Sequence, residues 1–392
     1  MAAQSHGLDG TLVQADWRPL AVDEVCALLR QFPGLGGSVD IVSISPRPLS
    51  AASVVAVGSD RVFVKRHHRK VRDRGGLLEE HRFIAHLRGH GLPVPAVLAT
   101  GEGETAIEDG DWSYEVHETP EGVDAYQKAH SWTPFRSSAH ARSAGRMLAR
   151  LHAAAQGYTV PQRRPRPLVA SFSIFAGNDA AAAMIRYITA RPALARDASA
   201  HRNYSHALEL LAPFHAELLP HLSSLEPLWT HNDLHASNLF WSDAGPDARA
   251  TSVIDFGLSD RTNAVHDLAH AIERNIVEWL ALPDDPGYGE TVPVHIDHMH
   301  AFLDGYEEVR PLTPEEAAAL APMTALCHTE FALTEADYFL GMLRSPEKAR
   351  LATGKYLVGH AQWWRSASGQ RLLDALRQRA ETGRSDRAKD TR

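Results

Sequence analysis

The sequence predicts an α+β chain of two unequal lobes: a small antiparallel, β-rich N-lobe carrying one helix, then a larger, mostly helical C-lobe. Three observations predict it. Residues 40–66 hold runs of alternating apolar and polar side chains, two of them joined by a tight Gly58-Ser59-Asp60 link. From about 134 onward the apolar spacing becomes helical. A short strand island at 237–256 interrupts that helical half.

The elements follow in order. Residues 1–39 read as a leader with one short helix at 21–31, closed by Phe32-Pro33-Gly34. The N-lobe, 40–118, opens with strands at 40–45, 53–57 and 61–66, the last two forming a hairpin. A helix spans 77–88, with Phe83, Ile84 and Leu87 on one face and Gly89 and Gly91 behind it. Strands at 97–100 and 112–117 complete the lobe. The C-lobe, 119–379, carries helices at 139–155, 180–188, 206–222, 266–282, 294–306, 314–329, 330–343 and 355–378. Residues 163–167, Arg-Arg-Pro-Arg-Pro, form a stiff connector, and the polar tail 380–392 is expected to be disordered. Two unequal lobes leave a cleft between them, the default place for a ligand.

Composition narrows the function. A chain of 392 residues, 44% apolar, buries a core without disulfide or metal staples. A net charge of −8 disfavours nucleic acid as a partner. Cys26 and Cys327 are too few and too far apart for a disulfide framework, so two buried free thiols in a reducing compartment are expected. The N-terminus lacks a basic region followed by an apolar one, and no run of about 18 apolar residues exists. The expectation is a soluble cytoplasmic protein without a membrane partner.

The chemistry concentrates at His231-Asn232-Asp233, where H-x-D-x-x-x-x-N ends on Asn238, followed by Asp255-Phe256-Gly257. Residues 238–241 and 252–255 read as antiparallel strands, which brings Asn238 and Asp255 to the same end of a hairpin. An amide oxygen beside a carboxylate suits a hard divalent cation such as Mg²⁺. Asp233, in the preceding loop, can orient a hydroxyl and accept its proton. His231 is read as a packed residue bracing the loop. A zinc site of His231, Asp233 and His235 is the rival, with no nearby residue completing its shell.

These motifs resemble the aminoglycoside phosphotransferase and choline kinase-like family, small-molecule relatives of protein kinases that include type II homoserine kinase-like enzymes. The resemblance covers about 40–345. It implies a bilobal protein-kinase-like fold and transfer of the γ-phosphoryl group of ATP, with Mg²⁺, to a hydroxyl. On the resemblance, Lys65 in Val62-Phe63-Val64-Lys65 contacts the α- and β-phosphates, and Glu80 pairs with that lysine, Glu79 being the alternative. Asp233 is the catalytic base; Asn238 and Asp255 are the metal ligands. Asp267-Leu268-Ala269 also fits, with Asp267 read as a helix-start residue. Gly145, Leu148, Leu151 and His152 match a packing helix. The phosphate loop, 48–53, lacks glycines, and the adenine hinge falls near 114–119.

Residues 281–340 hold twelve acidic side chains against one basic, Arg310. Such a region is either a solvated acidic surface or one that draws a cationic small-molecule acceptor, an amino sugar or amino alcohol; homoserine is a further candidate. His295, His298 and His300 lie in the same region and are read as surface or packing residues. The alternatives are a protein Ser/Thr kinase of the same fold, a catalytically silent nucleotide-binding regulator, and a metal-dependent hydrolase using the histidines.

Overall fold

The structure is a computed structural model that describes residues 4–7, 10–283 and 292–390. It shows the two-lobed α+β arrangement. A hairpin of β1 (Gln4–His6) and β2 (Leu12–Gln14) precedes α1 (Val22–Leu29). The N-lobe sheet contains β3 (Val39–Ile44), β4 (Ala51–Val57), β5 (Asp60–His68), β6 (Ile107–Asp109) and β7 (Trp112–Glu118), in the order β3-β4-β5-β7-β6. All its pairings are antiparallel. Gly58 makes the β4–β5 turn at φ +57°, where a Cβ would stand 2.8 Å from the carbonyl oxygen of Gly36.

The sheet has two covered faces. Val55, Val57, Val62, Val64 and Val116 pack on one side with Val25, Leu28 and Leu29 of α1. Lys65 and His67 alternate to the other side, which is the side of the cleft. Helix α2 (Arg74–Gly89) is capped by Asp73, whose side chain accepts from the N–H of Gly76 at 2.7 Å. Its Phe83, Ile84 and Leu87 belong to the core of the C-lobe, so α2 couples the lobes. The strand expected at 97–100 is only a bridge from Val97 to His117. Pro93 and Pro95 just before it have no N–H to give a ladder.

The C-lobe opens with α3 (Ser138–Ala154), α4 (Ala180–Thr189), α5 (Pro192–Ala195) and α6 (Ala198–Leu218). Four short strands follow: β8 (Pro227–Thr230), β9 (Leu239–Trp241), β10 (Ala250–Val253) and β11 (Asp260–Asn263). They form two ribbons, β9 with β10 and β8 with β11. The first is the expected hairpin. The second was not legible, because its four-residue strands carry no apolar alternation. Then come α7 (Ala264–Ile276), α8 (Ile296–Glu307), α9 (Pro314–Leu326), α10 (His328–Gly341), α11 (Pro346–Leu351), α12 (His360–Trp364) and α13 (Ala367–Asp390).

Helices α3 and α8 touch backbone to backbone. A Cβ on Gly145 would lie 1.9 Å from the carbonyl oxygen of Phe302, and one on Gly305 equally close to that of Arg142. The expected helix at 266–282 stops at Ile276, where Val277 turns extended. The expected 206–222 helix begins earlier, at Ala198, and tolerates Pro213 inside it. The tail expected to be disordered is helical as far as Asp390. Cys327 is buried, while Cys26 is only half-buried. Among the described residues, no helix is long and apolar enough to cross a membrane.

Candidate active site

The cleft between the lobes is lined by Lys65 and Glu80 from the N-lobe and by Asp233, Asn238 and Asp255 from the C-lobe. All five predicted residues therefore share one cavity. The β9–β10 ribbon accounts for part of this. Leu239 faces Val253, and the N–H of Ile254 donates to the carbonyl oxygen of Asn238 at 3.0 Å. Asn238 and Asp255 thus flank the same end of the ribbon.

Asp255 holds φ +64°, a left-handed conformation that costs an ordinary residue about 1 kcal/mol. Its Oδ1 accepts from Lys65 Nζ at 3.0 Å. Burial pushes the Asp255 carboxyl up, but Lys65 outweighs it and holds the group well below the usual carboxylate range. In return Asp255 raises the Lys65 pKa against the pull of burial, so the lysine stays charged.

The lysine–glutamate pairing expected for Glu80 is not what the structure shows. Glu80 meets Arg72 Nε and Arg163 Nη2, each at 2.8 Å, and both arginines are buried. Arg72 also donates to the carbonyl oxygens of Leu168 and Gly257, and Arg163 to those of Gly257 and Ser259. Glu80 thus binds the connector and the segment after Asp255 to α2. Glu79 reaches Arg163 as well, at 3.3 Å. The five donors of each guanidinium satisfy several acceptors at once, as a single lysine could not.

Asp233 lies mostly buried, with Arg274 Nε 3.1 Å from its Oδ1. Asn238 Nδ2 donates to its backbone carbonyl at 2.9 Å. Burial raises the Asp233 carboxyl to about 6, with Arg274 opposing. It is therefore mostly ionised at neutral pH, yet basic enough to take a proton. His231 braces the loop as expected: its Nε2 meets the carbonyl oxygen of Ile254 at 3.0 Å, and its Nδ1 accepts from the N–H of Asp233. His235 Nδ1 pairs instead with the Ser237 hydroxyl. The rival zinc set is accordingly divided among hydrogen bonds.

Asp267 does more than start a helix. The cap of α7 is Asn263, which accepts from the N–H of His266. Asp267 Oδ2 accepts from the N–H of His231 at 2.9 Å and Oδ1 from that of Asn232 at 2.8 Å. His152 holds the same carboxylate at 3.0 Å and reaches Tyr306 with its other nitrogen. The loop is gripped at Asn232, itself left-handed at φ +59°.

Arg47, Arg274 and Glu335, none of them singled out in the sequence, also line the cleft. Arg47 donates to Ser131 Oγ at 3.0 Å and lies within electrostatic reach of Asp255 and Asp233. Glu335 is buried beside Trp132 and Phe331, and its Oε2 has no hydrogen-bond partner. Burial raises its carboxyl to about 8. Of the twelve acidic residues in 281–340, Glu335 is the one described residue lining this cleft. Glu308, Asp304 and Glu316 are taken up by Arg142, Arg146, Arg310 and Arg379. His295 pairs with Glu278 at 2.9 Å and stacks on His298.

Comparison with known proteins bears on the fold and the family. The phosphotransferase enzyme family matches residues 45–312. No curated protein sequence matches the chain. An aminoglycoside phosphotransferase from Alicyclobacillus acidocaldarius subsp. acidocaldarius DSM 446 is 18% identical, over 93% of this chain and 98% of that one, with a TM-score of 0.50. A microcompartment-associated aminopropanol kinase is 18% identical, over 90% and 100%, with a TM-score of 0.56. Amicoumacin kinase, solved with AMP-PNP, Ca²⁺ and Ami, is 16% identical, over 92% and 93%, with a TM-score of 0.53. At these identities the structures establish the shared kinase-like fold. The family match covers more than half of the sequence, and the chain belongs to the phosphotransferase enzyme family.

Proposed function

We propose that the protein transfers the γ-phosphoryl group of ATP to the hydroxyl of a small, amine-bearing molecule, with Mg²⁺. The observation that carries this is the meeting of Lys65, Asp233, Asn238 and Asp255 in one cleft. The donor set fits a hard cation. Asn238 commits its Nδ2 to Asp233, which leaves its amide oxygen for a ligand, and Asp255 stays ionised. Bound there, Mg²⁺ supplies charge neutralisation to the β- and γ-phosphates.

The residues of the chain do the rest by positioning and electrostatics. Lys65 holds the nucleotide phosphates. Arg47, beside the phosphate loop and facing both aspartates, supplies a second cation. Asp233 orients the acceptor hydroxyl and takes its proton as the oxygen bonds to the γ-phosphorus and ADP leaves. Arg274 fixes the Asp233 carboxylate from the C-lobe side. Glu335, with Trp132 and Phe331 beside it, receives the ammonium of the acceptor. An arriving cation satisfies its unpartnered oxygen and draws it into the charged form. Amine-bearing acceptors are also what the aminopropanol kinase acts on by its name.

The test is a coupled ADP-release screen over amino alcohols, aminoglycosides and homoserine, with products identified by mass. An acceptor that gives Mg²⁺-dependent ADP release and a phosphorylated product is expected. Asp233→Asn should lower its turnover by about 10²-fold or more. No acceptor-stimulated release anywhere in the panel, or full turnover in Asp233→Asn, overturns the reading.

A further inference from the structure

A second cluster lies outside the catalytic set. Glu273 on α7, His328 opening α10 and His360 opening α12 meet in the C-lobe core, exposed by 0%, 3% and 2%. Their ligand atoms all lie within 4.8 Å of one another. His328 Nδ1 stands 3.3 Å and His360 Nδ1 3.4 Å from the same oxygen, Glu273 Oε1. None of the six side-chain nitrogens and oxygens has a hydrogen-bond partner. Burying an ionised carboxylate and two imidazoles in this condition is expensive.

The N-lobe offers a control. Glu115 gathers His67, His81 and His117 at 3.0, 2.9 and 2.8 Å, which are hydrogen-bond distances, and His81 uses its other nitrogen on Thr105. That cluster is satisfied as it stands. The C-lobe cluster has a different spacing. Around a tetrahedral ion with bonds of about 2.0–2.2 Å, neighbouring ligand atoms lie about 3.3–3.6 Å apart. The separations of the two histidine nitrogens from Glu273 Oε1, 3.3 and 3.4 Å, have that value.

We propose that Glu273, His328 and His360 form a buried transition-metal site suited to Zn²⁺. Two imidazole nitrogens and one carboxylate are an established zinc donor set. His270, one turn before Glu273 on α7, stands outside that group of ligand atoms, so the described residues supply three donors there. The indole of Trp279 stacks on His360 with centroids 3.6 Å apart and excludes water. The site would tie α7, α10 and α12 together behind the acceptor wall. Arg274, the next residue after Glu273, meets Asp233, and Trp132 packs against both His328 and His360. This inference is independent of the phosphotransfer reading.

The test uses the untagged full-length chain, first for metal content as purified, then after chelator treatment and dialysis. About one zinc per chain is expected. Co²⁺ added to the chelated protein should give the intense visible bands of tetrahedral cobalt, abolished by excess Zn²⁺. Zn²⁺ should raise the melting temperature of the chelated chain. Glu273→Gln and His360→Gln should lose the cobalt bands, while His117→Gln and His295→Gln keep them. A chelated wild type that stays folded by circular dichroism, yet shows neither cobalt bands nor a zinc-induced shift, overturns the proposal. So does cobalt binding that survives in both Glu273→Gln and His360→Gln. The wild-type arm decides even where a variant fails to fold.

Discussion

Replacing Asp267 with alanine tests what holds the loop that carries Asp233. Its carboxylate accepts from the N–H groups of His231 and Asn232 at 2.9 and 2.8 Å, and from His152 Nε2 at 3.0 Å. All of these groups are buried. A buried donor left without an acceptor costs about 1–3 kcal/mol, so the two backbone donors alone give about 2–6 kcal/mol. Asn232 is also left-handed, a conformation that persists only where its surroundings enforce it. Freed from Asp267, the loop should relax and carry Asp233 out of position. Urea denaturation reads the first effect. Steady-state phosphotransfer reads the second, as a fall in kcat of about tenfold or more with the KM for ATP little changed, because Lys65 sits on a separate N-lobe strand. Asp267→Asn keeps one acceptor oxygen and should fall between wild type and alanine in both assays. An alanine variant within about 1 kcal/mol of wild type and fully active would refute the grip on the loop.

Three further outcomes follow from other contacts. With Asp233 raised to about 6, kcat/KM should fall as pH drops through about 6, and a flat profile down to pH 5 would contradict its role as base. The same group binds more protons folded than unfolded between about 3.8 and 6, so its own contribution to stability declines as pH rises through that window. Gly145→Ala drives a methyl into the Phe302 carbonyl at 1.9 Å, so α3 and α8 must part; a loss of about 3 kcal/mol or more is expected by thermal or urea unfolding, and a neutral result would contradict the close contact. Glu80→Ala strands two buried arginines and should cost about 3–5 kcal/mol in urea, while raising the KM for ATP less than Lys65→Ala does; equal KM effects would restore a direct Lys65–Glu80 partnership.

What the sequence discloses follows the range of the contacts. The N-lobe strands and α2 were legible because valines at period two and Phe83, Ile84 and Leu87 at helical spacing report burial locally. The meeting of Asp233, Asn238 and Asp255, with His231 bracing their loop, was legible because a loop and a hairpin at this spacing bring them to one end. The partners of those residues come from elsewhere in the chain. Arg72 and Arg163, which take Glu80, lie on either side of α3, and nothing in their neighbourhoods announces a shared carboxylate. Arg47 carries one cue, its place just before the loop 48–53 that the resemblance assigns to phosphate. Arg274 carries another, lying seven residues after Asp267 and so on the same face of α7, the face that meets the loop carrying Asp233. Glu335 was hidden among eleven other acids, most of them on the surface or paired. Its position in the cleft depends on how α10 packs, which no local pattern encodes.

The most direct measurement of the central claim is a thermal shift with ATP, with and without Mg²⁺, on wild type and Asp255→Asn. Asparagine tolerates the left-handed backbone at this position, so the variant removes the charge without adding strain. At about 100 times its dissociation constant, Mg²⁺–ATP should stabilise the wild type by about 2.7 kcal/mol. The predicted result is a shift that needs Mg²⁺ in wild type and loses that dependence in Asp255→Asn. No shift with any nucleoside triphosphate, or an equal Mg²⁺-dependent shift in both proteins, would contradict the assignment of this cleft to a metal-bound nucleotide.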